Sequence, residues 1–179
     1  MTTTLFTNAH IATGEPGSTA ASTLPLQDIL VTDGVFTAFG PGLAQQYEAQ
    51  GGDLAAIEVV DLGGKLVCPP FCDTHLHLDY VFTARKPGAV NESGTLFEGI
   101  QRWSETKSDL TVDEIKQRAK IGIKKEMLHG VQLIRSHADV TDPNLTSLKA
   151  LLELKEELKD TVTLQIVSFP QEGMYSYCL

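Results

Sequence analysis

Leu66-Val-Cys-Pro-Pro-Phe-Cys-Asp73-Thr-His75-Leu-His77-Leu-Asp79 decides how this chain is read. Pro69 and Pro70 bring turn chemistry, and a short apolar strand follows them. Side chains of a strand alternate faces, so His75 and His77 share one. Two imidazoles on one face of a rigid element can grip one metal ion. The spacing alone also allows two hydrogen-bonded histidines at a strand end. The Pro-rich entry and Asp73, just ahead of the first histidine, favour the metal.

Outward from this stretch the chain alternates. Val81 to Glu92 is polar and interrupted by Pro87 and Gly88, which reads as a loop leaving the strand's C-terminal end. Gly94 to Thr106 has helical character, with Trp103 read as a packing residue in preference to a substrate platform. Thr111-Val-Asp-Glu114 is a capping box that opens a helix with Ile115, Ala119, Ile123 and Met127 on one stripe. That helix ends before Gly130 and places His129 in its last turn, a structural position for a cation. Val131 to Val140 is an apolar strand of the kind buried in parallel sheets. Asp142 and Pro143 read as the cap and first turn of another helix, its buried face Leu145, Leu148, Leu152 and further leucines through Leu158. The Glu and Lys residues of 153–159 are its solvated side, and Thr161 to Phe169 is a third strand. The run from 66 to 169 is therefore βαβαβ, which is right-handed in nearly every known case. It fits a barrel or a doubly wound sheet. No Gly-x-Gly-x-x-Gly follows a strand, so dinucleotide binding has no support.

Residues 1–65 read as β structure. Thr4 to Thr13 is a strand, and Asp33-Gly34 between two apolar runs signals a hairpin. Ala56 to Cys68 is a third strand region with a Gly63-Gly64 turn. Gly14 to Thr23 and Pro41 to Asp53 read as polar connectors, and His10 as a surface histidine without chemistry. The 179 residues carry a net charge of −9. With a pI near 4.9, that argues against binding phosphate backbones or an anionic membrane. Mean hydropathy of −0.04 describes a soluble, globular composition. No apolar run approaches a membrane span, and the N-terminus lacks the features of a signal peptide. Three cysteines, Cys68, Cys72 and Cys178, are too few for a disulfide scaffold, so a cytoplasmic chain with free thiols is expected.

Three segments in order carry a resemblance: Pro70 to Asp79, Ser93-Gly-Thr-Leu-Phe-Glu-Gly-Ile100, and Phe169-Pro-Gln-Glu-Gly173. Together they resemble the amidohydrolase superfamily, in its bacterial-type cytosine deaminase branch. The resemblance implies an α/β fold: the N-terminal part of a (β/α)8 metal-dependent hydrolase barrel, its first three βα units over 66–179, preceded by a small β-sandwich segment over 1–65. It implies one divalent metal, iron or zinc, with His75 and His77 as ligands. It implies substrate contact by Gln171, whose amide suits the donor-and-acceptor edge of a pyrimidine, and by the backbone at Leu96. His137, beside Asp139 at the second strand's end, fits equally a histidine that fixes a neighbour and one that touches substrate. The family's remaining ligands and proton-transfer groups come from later strands, so no catalytic residue is assigned within this chain. The implied reaction is deamination of cytosine to uracil and ammonia on a free nucleobase, in a homo-oligomeric parent. The other deaminase class, with its His-x-Glu and Pro-Cys-x-x-Cys zinc motif, is excluded because both motifs are missing. Two alternatives remain: a sister amidohydrolase acting on an isoguanine, creatinine or triazine-derived ring, and a non-catalytic remnant of a longer gene. With about three of eight strands, the chain alone is expected to be inactive.

Overall fold

The computed structural model describes residues 2–12 and 24–173, so the Gly14–Thr23 connector and the C-terminal stretch with Cys178 lie outside the described residues. The chain divides into two compact units at the Pro69–Pro70 junction. The first holds β1 (Thr3–Ile11), β2 (Leu26–Thr32), β3 (Val35–Gly40), α1 (Leu43–Ala49), β4 (Glu58–Asp61) and β5 (Leu66–Val67). These strands make one mixed sheet in the order β3-β2-β1-β4, with β5 also on β1. The second layer that a sandwich requires does not come from the described residues. Asp33 and Gly34 both carry positive φ, 49° and 78°, which matches the twist of a two-residue hairpin turn between β2 and β3. His10 lies half-buried in β1, paired with Leu66 across to β5.

The segment expected to be a polar connector, 41–53, contains α1. Its start is invisible locally because Gly42, at φ 70°, supplies no capping side chain. The cap comes from β2 instead: Asp28 accepts from the backbone N–H of Leu43 at 2.9 Å and from that of Asn8 at 3.2 Å. Asn8 itself sits at φ 57° in a bulge between Phe6 and Ala9, so one buried carboxylate serves both irregularities.

The second unit is built on β6 (Phe71–Leu76), β7 (Val131–Asp139) and β8 (Thr163–Phe169), parallel and in that order. Between them run α2 (Leu96–Lys107), α3 (Val112–Leu128) and α4 (Thr146–Glu157). Burial along β7 follows the strand period: Ile134, Ser136 and Ala138 are buried, while Leu133 and Arg135 are exposed on the other face. The buried face joins Leu78, Trp103, Ile115, Ala119, Ile123, Leu151, Leu154 and Leu164 in one core. The capping box at Thr111 and Glu114 forms with both reciprocal bonds, and Gly130 follows the end of α3 at φ 86°.

α4 departs from expectation at its start. Asp142 and Pro143 lie before the helix, and the cap position is Leu145, held at φ 51°. Asp142 still serves the helix, accepting from Thr146 N–H at 2.9 Å, but from four residues back. The buried face is Ser147, Ala150, Leu151 and Leu154, with Leu148 and Leu158 packed against the core as expected, while Leu145 is 37% and Leu152 52% exposed. The solvated side of α4 also reaches across: Glu153 pairs with Lys116 of α3 at 2.9 Å, and Glu157 pairs with Lys116 and Lys120.

Candidate active site

The strand ends of the second unit gather three histidines. His75 is the penultimate residue of β6 and His77 follows its end, where Asp73 accepts from the His75 backbone N–H at 2.9 Å. His137 lies near the end of β7. The rings of His75 and His137 stack with centroids 4.2 Å apart, and those of His75 and His77 meet edge-on at 5.3 Å. Phe169, at the end of β8, closes the group at 5.2 Å from His77 and 5.8 Å from His137.

His77 Nδ1 lies 3.1 Å from the backbone carbonyl oxygen of His137. A carbonyl only accepts, so Nδ1 carries the proton and donates, and Nε2 keeps its lone pair. Burial, then the neighbouring His75, hold His77 below the ordinary histidine range, which favours the neutral ring that ligates metals. His137 is likewise lowered by loss of water, then by His75 and Arg135, and among the described residues its buried Nδ1 has no hydrogen-bond partner. Among the described residues, no group of three or more His, Cys, Asp or Glu side chains has a metal-holding arrangement. The two imidazoles of His75 and His77 are fewer than the three protein ligands usual for a catalytic zinc.

Beside the histidines lies a cavity of about 420 Å³. Its walls include Tyr80, Asn91, Leu96, Trp103 and Gln171. The structure thus brings together Leu96, at the start of α2, and Gln171, just past β8, two positions far apart in sequence. Tyr80 links the cavity to the histidines, its ring stacked on His77 at 4.6 Å and packed on Trp103 at 4.8 Å. Burial, and then Asp79 and Asp139, push the Tyr80 hydroxyl up to about 12, so it stays neutral.

Trp103 is the packing residue expected, 5% exposed in the core, and its indole N–H also donates to Asp139 Oδ2 at 2.6 Å. Asp139 is a hub. It accepts from Thr141 N–H at 2.9 Å and from the Lys107 ammonium at 3.2 Å, and its own N–H donates to Asp79 Oδ2 at 2.8 Å. Burial works to raise Asp139, but bonds from Thr141 and Trp103 and the Lys107 charge outweigh it and hold the carboxyl low. Asp79, fully buried and facing Asp139, is pushed up to about 6, chiefly by burial. Sequence reasoning did not find this network. Trp103 and Lys107 lie one helical turn apart on α2, so a shared face was legible, but their common partner is in another strand.

The sequence profile of the amidohydrolase family matches residues 58–178, and the chain belongs to that family. The solved 5-methylcytosine deaminase from Klebsiella pneumoniae liganded with 5-fluorocytosine is 39% identical, with a TM-score of 0.79 over 97% of this chain and 38% of that one. N-isopropylammelide isopropylaminohydrolase from Burkholderia multivorans is 25% identical with a TM-score of 0.71, over 97% of this chain and 39% of that one. N-isopropylammelide isopropyl amidohydrolase from Pseudomonas sp. (strain ADP) is 35% identical over 65% of this chain and 30% of its own length. Pterin deaminase from Rhizobium rhizogenes is 27% identical over 82% of this chain and 32% of its own length. The chain spans about a third of the length of these curated relatives. Its fold is a partial (β/α)8 barrel with a β segment ahead of it. Among the described residues, no helix is long and apolar enough to cross a membrane.

Proposed function

We infer that this chain supplies the metal-holding and ring-reading part of a hydrolase that removes an amino group from a nitrogen heterocycle, with cytosine or a 5-substituted cytosine as substrate. The observation that carries this reading is a cavity lined by both Leu96 and Gln171, whose Tyr80 wall stacks on His77. The Klebsiella enzyme, similar over nearly all of this chain, is liganded with 5-fluorocytosine, which points to the same class of ring.

His75 and His77 are the groups that would hold a divalent metal, iron or zinc. The fit rests on His77, whose Nδ1 bond to the His137 carbonyl leaves Nε2 free to ligate. A metal so held supplies a water of lowered pKa at neutral pH. The chain's own residues do the rest of what is seen here. The planar amide of Gln171 offers one donor and one acceptor to a ring edge. Tyr80 and Trp103 give the cavity an aromatic wall against which a planar ring can pack. The Asp139 network holds that wall to the strand ends.

The 35% identity to an N-isopropylammelide hydrolase favours a second reading, hydrolysis of an alkylamino group from a triazine-derived ring. One assay separates them. The product of the complete open reading frame containing these residues is given cytosine, 5-methylcytosine, a pterin and N-isopropylammelide, and amine release is followed. Turnover of the cytosines with N-isopropylammelide untouched supports the first reading. The reverse pattern replaces it with the second, and no release from any of them removes both.

A further inference from the structure

We propose that Lys107 is a positioning residue that ties the loop carrying Gln171 to the end of β7, and so sets where the ring-reading amide stands. The proposal rests on the reading of Gln171 given above. Lys107 ends α2, yet its side chain is only 9% exposed. Its ammonium has three N–H donors and meets three acceptors: Glu172 Oε1 at 2.6 Å, Thr141 Oγ1 at 2.7 Å and Asp139 Oδ2 at 3.2 Å. Glu172 is the residue next to Gln171, in a turn closed by a bond from Gly173 N–H to the Pro170 carbonyl at 2.9 Å. Asp139 is fixed on its other sides by Trp103, Thr141 and Asp79. The tether therefore runs from a rigid strand end through one buried cation to the loop. Burial opposes the charge on Lys107, but the Glu172 and Asp139 carboxylates outweigh it and keep the ammonium charged.

The chemistry makes the tether specific. An uncharged side chain at 107 leaves Glu172 and Asp139, two carboxylates converging on one point, without the charge between them. Repulsion then drives the mobile partner outward, and Glu172, at 21% exposed against 1% for Asp139, is the one that can leave. Gln171 moves with it.

Two measurements test this. Hydrogen exchange on the 179-residue chain compares wild type with Lys107→Met and Glu172→Gln. The amides of 171–173 are expected to exchange about tenfold faster in both variants, as local opening does, while those of α3 are unchanged. Should Lys107→Met loosen α3 as well, Glu172→Gln decides, because it keeps the side chain's shape. Unchanged exchange at 171–173 overturns the proposal. The second measurement uses the product of the complete open reading frame and whichever ring it turns over. Lys107→Met should lower kcat/KM about tenfold, mainly through KM, and cause no further loss in a Gln171→Ala background. Fully additive losses overturn the proposal. If the wild type turns over no ring at all, the functional reading fails, and the exchange result alone decides the tether.

Discussion

Trp103 and Asp139 are joined by a 2.6 Å hydrogen bond from the indole Nε1 to Oδ2, across a separation of 36 residues. The bond turns a packing residue into a strut between α2 and the end of β7. Replacing Trp103 with Phe keeps an aromatic ring in the core and removes the donor. A hydrogen bond to a buried charged acceptor contributes about 1.5–3 kcal/mol, so Trp103→Phe should lower unfolding free energy by about that much. Urea denaturation reads it, and a loss under about 0.5 kcal/mol, the scale of an ordinary surface change, would show that Lys107 and Thr141 already satisfy Asp139.

The turn that opens α2 predicts a pH dependence. Glu98 accepts from Glu92 N–H at 3.1 Å and Ser93 N–H at 2.6 Å, and also bonds the Ser93 hydroxyl. Those bonds, the Ser93 hydroxyl first, hold its carboxyl down to about 2. A depressed carboxylate contributes stability above its unfolded value of about 4.5 and loses it as pH falls toward about 2. Glu98→Gln should therefore be less stable than wild type at pH 7, with the gap narrowing as pH falls below about 4.5. Denaturation midpoints of the two proteins between pH 7 and 3 check this. A gap that is constant over the range would mean the carboxylate charge does not hold the turn.

What the sequence made legible follows from how local each signal is. The Asp33-Gly34 hairpin, the Thr111–Glu114 capping box and the alternation after Pro70 are decided by neighbours within a few residues, and each formed as expected. α1 was missed because its cap is Asp28, fifteen residues back in another strand. The start of α4 shifted because Leu145 takes a left-handed conformation that its side chain does not advertise. At the candidate site, the positions in the three motifs could be named from sequence, and Leu96 and Gln171 do line one cavity. The Asp139 network was not legible, since its members meet only after β6, β7, α2 and the loop past β8 are assembled. The exposed and buried faces of β7 show the same limit: its apolar run looked buried throughout, but Leu133 is 39% exposed on the face away from the helices.

The metal assignment predicts a loss of bound ion. Replacing His75 and His77 together with Ala removes two nitrogen donors whose rings stand 5.3 Å apart. In the product of the complete open reading frame, metal content after gel filtration should fall from near one ion per chain to well below half, since a catalytic site takes about three protein ligands. His137→Ala removes a stacked neighbour and should reduce content less, while its backbone carbonyl still orients His77. Full metal content in the His75→Ala, His77→Ala protein would place the site elsewhere.

Gln171 gives the sharpest test of the functional reading. If its amide pairs with the ring edge, Gln171→Ala leaves a donor and an acceptor of the bound ring without partners inside a cavity walled by Tyr80 and Trp103. An unpaired buried polar group costs about 1–3 kcal/mol, which is a fall in kcat/KM of roughly 5- to 150-fold. The loss should be larger for substrates that present an N–H beside a carbonyl than for rings that lack one of the two, because only the former use both halves of the amide. Metal content should stay at the wild-type level, since the amide removed is not one of the two imidazoles assigned to the metal, and no histidine is among the residues lining the cavity. Steady-state kinetics on a matched pair of rings, with metal measured on the same samples, reads all three expectations. A variant that keeps wild-type kcat/KM on both rings would remove Gln171 from substrate recognition. Equal losses on both rings would mean that it shapes the loop without reading the edge.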